Sequence, residues 1–236
     1  MKNKDFKLAS NVAFSLGVLT TIFLISSREK EIPKVSSPKP DTTIQVKSED
    51  TSVSVKGKSV LFIGDSHTSY SHGWQDRLCR RTGMTYTNTA AGGKTTTWMK
   101  GVALNSVHSG FDYCFIWGGA NDMAGTIKPA LAVKNVQFIV DLCRAKGVKA
   151  IVLTGFNPKT CIDVTGRGRA WQKYPGRYVE FQRMLQDSIV GAKVIKSHFI
   201  SRTDQDCGDF LCHMAASGHR KMSDSIIRVM KFKTIK

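Results

Sequence analysis

The chain has 236 residues, 41% of them hydrophobic, which suits one domain with a proper core and argues against a wholly disordered protein. Its net charge of +17 is not the work of a tail: residues 1–57 hold nine Lys/Arg and six Asp/Glu (net +3), and residues 58–236 hold the remainder (net +14). A domain this basic either attracts polyanions (acidic glycans, anionic lipid or nucleic acid) or presents a solvated surface; the absence of a nucleic-acid fold signature and of an outstanding Lys/Arg cluster argues against nucleic acid.

In chain order, Lys2, Lys4 and Lys7 precede an uncharged run from Leu8 to Ser27. Residues 1–27 are therefore a secretory signal or a single spanning helix. Ile25-Ser26-Ser27 is a weak cleavage site and no Cys follows the run, so a retained signal-anchor is favoured over a cleaved signal or a lipoprotein anchor. Positive charge ahead of the run keeps the amino terminus in the cytoplasm and places the bulk of the chain outside the membrane, at the cell envelope, or secreted if the signal is cleaved. Residues 28–57, with Pro33, Pro38 and Pro40 among Ser, Thr, Lys and Glu, read as a flexible linker to a domain at 58–236.

Within that domain, Val60–Ile63 is a strand and Trp74–Arg81 a helix that Gly83 ends. Met84–Asn88 is a short strand, followed by a Gly- and Thr-rich loop over Asn88–Thr97. Phe111–Trp117 is a strongly apolar strand, Ala130–Ala145 a helix, Val148–Thr154 a strand. The irregular, basic stretch Asn157–Gly176 could line a cleft. Tyr178–Val190 is helical, Ala192–Ile195 a fifth strand, and Ser217–Phe232 a closing helix. Strands alternating with helices predict a three-layer α/β/α fold around a five-stranded parallel sheet, flavodoxin-like.

Four segments fall at strand ends, where open α/β sheets hold ligands. Gly64-Asp65-Ser66-His67-Thr68 closes the first strand, with Ser66 either a nucleophile or a helix cap. Ala91-Gly92-Gly93-Lys94-Thr95 offers a backbone N–H to a cleft or is a plain turn. In Gly118-Gly119-Ala120-Asn121-Asp122, the Asn121 amide is an oxyanion donor or an Asx turn. Asp209-Phe210-Leu211-Cys212-His213 brings a carboxylate near a histidine that it can orient. Asp65 reads as structural, satisfying turn N–H groups, and His67 and His72 as polar rim residues. Cys79, Cys114 and Cys143 fit core positions; Cys207 and Cys212 could close a short loop, with Cys161 a competing partner. Metal binding is disfavoured, because no Cys-x-x-Cys or His cluster stands at ligand spacing.

Taken together, Ser, Gly, Asn and His in that order resemble the SGNH hydrolases, the GDSL-type esterase and lipase superfamily. Gly64-Asp65-Ser66 is similar to its first block, Asn88 with Gly93-Lys94-Thr95 to its second, Gly119-Ala120-Asn121-Asp122 to its Gly-x-Asn-Asp block, and His213 with Gly218 to its last. The likeness covers roughly residues 58–232. It implies a serine esterase in which Ser66 attacks, His213 is the base and Asp209 orients it. The N–H groups of Ser66 and Gly93 and the amide of Asn121 would form the oxyanion hole, with no metal or cofactor. The family's usual Asp-x-x-His is here one residue longer, though positions i and i+4 are still neighbours in a helical turn, and Asp206 and Asp204 stand in reserve. The expected substrate is an O-acyl, chiefly O-acetyl, ester on an envelope glycan. The alternatives are a lysophospholipase or thioesterase, or a glycan-binding module on the same fold.

Overall fold

Four consecutive apolar residues, Val60-Leu61-Phe62-Ile63, can be satisfied only in a strand covered on both faces, and all four are fully buried in β1 (Ser59–Gly64). The computed structural model describes residues 51–155, 175–197 and 213–235. The expected signal-anchor (1–27), most of the linker, nearly all of Asn157–Gly176, and Cys161, Asp204, Asp206, Cys207, Asp209 and Cys212 lie outside the described residues.

After β1 come a one-turn helix α1 (Ser66–Ser69), α2 (Trp74–Thr82), β2 (Thr85–Asn88), α3 (Thr96–Ser106), β3 (Tyr113–Trp117), the short α4 (Ala120–Ala124) and α5 (Pro129–Ala145). Then follow β4 (Lys149–Leu153), α6 (Pro175–Ser188), β5 (Lys193–Ile195) and α7 (Ala216–Met230). The five strands pair in parallel in the order β2-β1-β3-β4-β5, the flavodoxin-like arrangement. β1 and β3 lie side by side at the centre, with Phe62 opposite Phe115 and Gly64 opposite Trp117.

Alternation along the strands sorts the side chains between two helix layers. Phe62 and Phe115 meet Trp74 of α2 at ring-centroid distances of 5.2 and 6.0 Å. Cys114, pointing the other way, meets Cys143 of α5. Helix α2 packs on α7, while α3 packs on α5 and α5 on α6. Cys79, Cys114 and Cys143 are buried free thiols, as their apolar settings predict.

Two expectations need correction. Residues 51–57, assigned to the linker, are packed on the domain: Val53 exchanges backbone hydrogen bonds of 2.7 and 2.8 Å with Lys231 and Lys233, and Val55 is buried. Two small apolar residues separated by Ser54 carry too little periodicity to show this. The loop expected over Asn88–Thr97 ends at Thr95, and Thr96–Ser106 is a helix. Its β-branched start and Gly101 have weak helix propensity, and Thr95 supplies no side-chain cap. Asp122 caps it from another element instead, accepting the Thr96 N–H at 2.9 Å together with the Thr96 hydroxyl. No helix among the described residues is long and apolar enough to cross a membrane.

Candidate active site

The site stands at the carboxyl edge of the two central strands. β1 stops at Gly64 because the chain must turn beneath β3: a Cβ there would lie 2.5 Å from the Trp117 carbonyl oxygen and 2.7 Å from Thr68 Oγ1. Asp65 then caps α1, its Oδ1 accepting the His67 N–H at 3.0 Å, which lifts Ser66 onto the first turn of that helix, half-buried at the rim.

The second segment is drawn against this turn. The Ala91 N–H donates to the Gly64 carbonyl at 3.2 Å, and Asn88 Nδ2 donates to the Thr68 carbonyl at 2.7 Å. Gly92 consequently passes beside the serine, so that a Cβ on it would lie 3.9 Å from Ser66 Cβ. Gly93 follows with φ 71° and is exposed.

At the end of β3, Gly119 has φ 109° and sits against the ring of Phe181, which an added Cβ would strike. This turn aims Asn121 at the second segment, and its Nδ2 donates to the Lys94 carbonyl at 3.0 Å. A primary amide carries two N–H donors, so this bond leaves a second for a ligand. Gly119→Ala should destabilise the fold by about 2–4 kcal/mol, through the left-handed backbone and the ring collision together. A lowered urea midpoint is the expected reading, and an unchanged one would show that the turn relaxes freely.

His213, just ahead of α7, brings its ring to α1, with centroids 5.5 Å from His67 and 5.6 Å from Tyr70. Ser66, Gly93, Asn121 and His213, spread over about 150 residues of sequence, therefore converge on one edge. Asp209 lies outside the described residues. A serine hydroxyl, an imidazole and amide donors are thus gathered at one sheet edge, residue types that acyl transfer through a serine requires.

A sequence model described as the GDSL-like lipase/acylhydrolase family matches residues 62–221. The chain belongs to that family. It is an ester hydrolase of the GDSL/SGNH type. No curated protein matches the chain in sequence. Among solved structures it is similar to a lipolytic G-D-S-L family protein from Veillonella parvula, at 18% identity and TM-score 0.60, covering 73% of this chain and 98% of that one. It is also similar to an acetylxylan esterase from Geobacillus stearothermophilus (13% identity, TM-score 0.58, covering 77% and 98%). A third is a lipase/acylhydrolase from Enterococcus faecalis (18%, TM-score 0.56, covering 74% and 95%). At these identities the likeness is one of fold.

Against this family background, several residues escaped the sequence reading. His67 is not a rim residue: it is buried, stacked on Trp117 with centroids 5.1 Å apart, and its carbonyl accepts the Trp74 indole N–H at 3.1 Å. His72 is at the rim, its Nδ1 3.8 Å from Asp76. Tyr70 turns its ring to both His213 and His219. Nδ1 of His219 accepts the Trp74 N–H at 3.2 Å, and burial, with the Arg77 charge second, holds its pKa down to about 4. Nothing in the local sequence marks His219, since only the packing of α2 on α7 brings Trp74 to it. Asp122 was legible as part of the Asn-Asp pair, but its service to α3 was not.

Asp65 proves structural, as expected, but its second oxygen, Oδ2, is buried without a hydrogen-bond donor, and burial pushes its carboxyl up to about 7, the charge of Asp122 adding to the effect. An unfolded aspartate titrates near 3.9. The folded state therefore gains from a neutral Asp65 below about pH 4, and loses that advantage as pH rises to about 7. Asp65→Asn should gain stability relative to wild type across this window, by up to about 4 kcal/mol. Urea unfolding at pH 4, 5.5 and 8 measures it, and a difference that does not vary with pH would refute it.

Proposed function

We propose that this chain is a serine esterase that removes O-acyl groups, chiefly O-acetyl, from a cell-envelope glycan. One observation carries the mechanism: the loop bearing Gly92 and Gly93 runs beside Ser66 and is tied by Asn121 through Lys94. In this reading Ser66 Oγ attacks the ester carbonyl while His213 accepts its proton. The carbonyl oxygen takes the negative charge and is held by the N–H groups of Ser66 and Gly93 and by the free N–H of the Asn121 amide. Collapse breaks the bond to the alkoxy oxygen, which leaves as the glycan hydroxyl with the proton from His213. Water, deprotonated by His213, then attacks the acyl-enzyme, and acetate departs as Ser66 recovers its proton. Asp209 is assigned to orient His213 and to stabilise its imidazolium form.

A glycan substrate is supported by the likeness in fold to an acetylxylan esterase and by the basic domain, whose charge suits an acidic polymer. Residues 1–27 are proposed to anchor the protein in the membrane, and the linker to hold the catalytic domain outside it.

The test is labelling of the full chain with a fluorophosphonate, followed by acetate release from a panel of acetylated glycans set against long-chain esters. The expected outcome is one adduct at Ser66 and preference for the acetylated glycans. An adduct elsewhere removes the mechanism. Preference for long-chain esters, with Ser66 labelled, replaces the glycan by a lipid substrate.

A further inference from the structure

Helices α2 and α7 pack side by side, and beside their seam lies a recess of about 320 Å³ lined by Arg77, Arg80, Arg81, Ser223 and Ile235. None of these residues is among Ser66, Gly93, Asn121 and His213. Helix α2 begins at the carboxyl edge, where Trp74 meets His219, and runs to Thr82, just before β2 starts at the opposite edge; the recess uses its residues from Arg77 to Arg81.

The three arginines stand at i, i+3 and i+4, the spacing that puts them on one helix face. In sequence they are only part of Trp74-Gln75-Asp76-Arg77-Leu78-Cys79-Arg80-Arg81, interrupted by core residues and unremarkable as a cluster. Two already have acidic partners: Arg80 Nη2 lies 2.9 Å from Asp76, and Arg81 pairs with Asp224 across the seam. No carboxylate among the described residues pairs with Arg77. Its Nε is buried with no hydrogen-bond acceptor, an arrangement that costs free energy. The recess therefore combines surplus positive charge, an arginine with no carboxylate partner among the described residues and one apolar wall, Ile235, which is held in place by its N–H to the Arg81 carbonyl at 2.8 Å.

We infer that this recess binds a phosphate group, and that it does so independently of ester hydrolysis. Guanidinium groups from successive helical turns reach a ligand from different directions. A tetrahedral phosphate can answer several of them at once, whereas a planar carboxylate matches one fork. The flank of Ile235 suits the carbon of a phosphodiester. Free phosphate and a phosphodiester within a polymer share this chemistry.

The experiment is titration of the full chain at low salt with inorganic phosphate, with dimethyl phosphate and, as a planar control, with acetate, followed by calorimetry and by the Ile235 methyl resonance. Phosphate or its diester should bind and shift that resonance, with acetate much weaker. Tighter binding of the diester points to a polymer, and tighter binding of inorganic phosphate to the free ion. Arg77→Gln should weaken binding by about tenfold or more, and Arg80→Gln by less. Absence of an Ile235 shift in the wild type, acetate binding as tightly as phosphate, or undiminished binding by a folded Arg77→Gln protein would each overturn the assignment. The wild-type resonance decides the matter should Arg77→Gln fail to fold.

Discussion

Ser66→Ala is expected to lower kcat for p-nitrophenyl acetate by on the order of 10⁵–10⁶-fold while leaving the unfolding midpoint unchanged. The size follows from the chemistry. In the proposed mechanism no acyl-enzyme forms without Oγ, and the surviving donors can assist only direct attack by water, which leaves a residual on the order of 10³–10⁴ over the uncatalysed rate. The unchanged midpoint follows from the position. Ser66 is half-buried at the start of a four-residue helix whose cap is Asp65, so the substitution removes one rim atom and no cap. The measurement is steady-state kinetics beside urea unfolding of the same preparations. Turnover within tenfold of wild type would dismiss Ser66 as the nucleophile, and lost turnover with a collapsed midpoint would show a structural role.

Asn121→Ala is expected to lower kcat by at least 10²–10³, the scale of one lost oxyanion donor. The geometry argues for the upper end of that range. Asn121 Nδ2 holds the Lys94 carbonyl at 3.0 Å, so the substitution also releases the loop that presents Gly93. Two of three proposed donors are disturbed by one change. Asn121→Asp should be worse still, because a carboxylate both fails to donate to Lys94 and repels the developing oxyanion. The loss belongs mainly in kcat, since the oxyanion exists only at the transition state. A loss confined to KM would instead assign Asn121 to ground-state substrate binding.

Much of this arrangement was legible because it rests on local chemistry. Val60–Ile63 and Phe111–Trp117 announce central strands through continuous apolar runs, which only burial on both faces can satisfy. The glycines at 64 and 119 mark turns that no larger residue could make, and so locate Ser66 and Asn121 at strand ends. The helix α3 was hidden because its start depends on Asp122, and His67 because its burial depends on Trp117. Both partners lie far along the chain, and no local pattern records them.

The sequence by itself determined the α/β alternation, the order Ser66, Gly93, Asn121, His213, and the positions of the turns that expose them. These follow from periodicity, turn chemistry and residue type. Only the tertiary structure decided that the Gly92 loop passes beside Ser66, that Asp65 is buried with a carboxyl shifted up to about 7, and that Arg77, Arg80 and Arg81 share a recess with Ser223 and Ile235. Desolvation and close approach are properties of what packs on a residue, and packing partners are chosen by the whole fold.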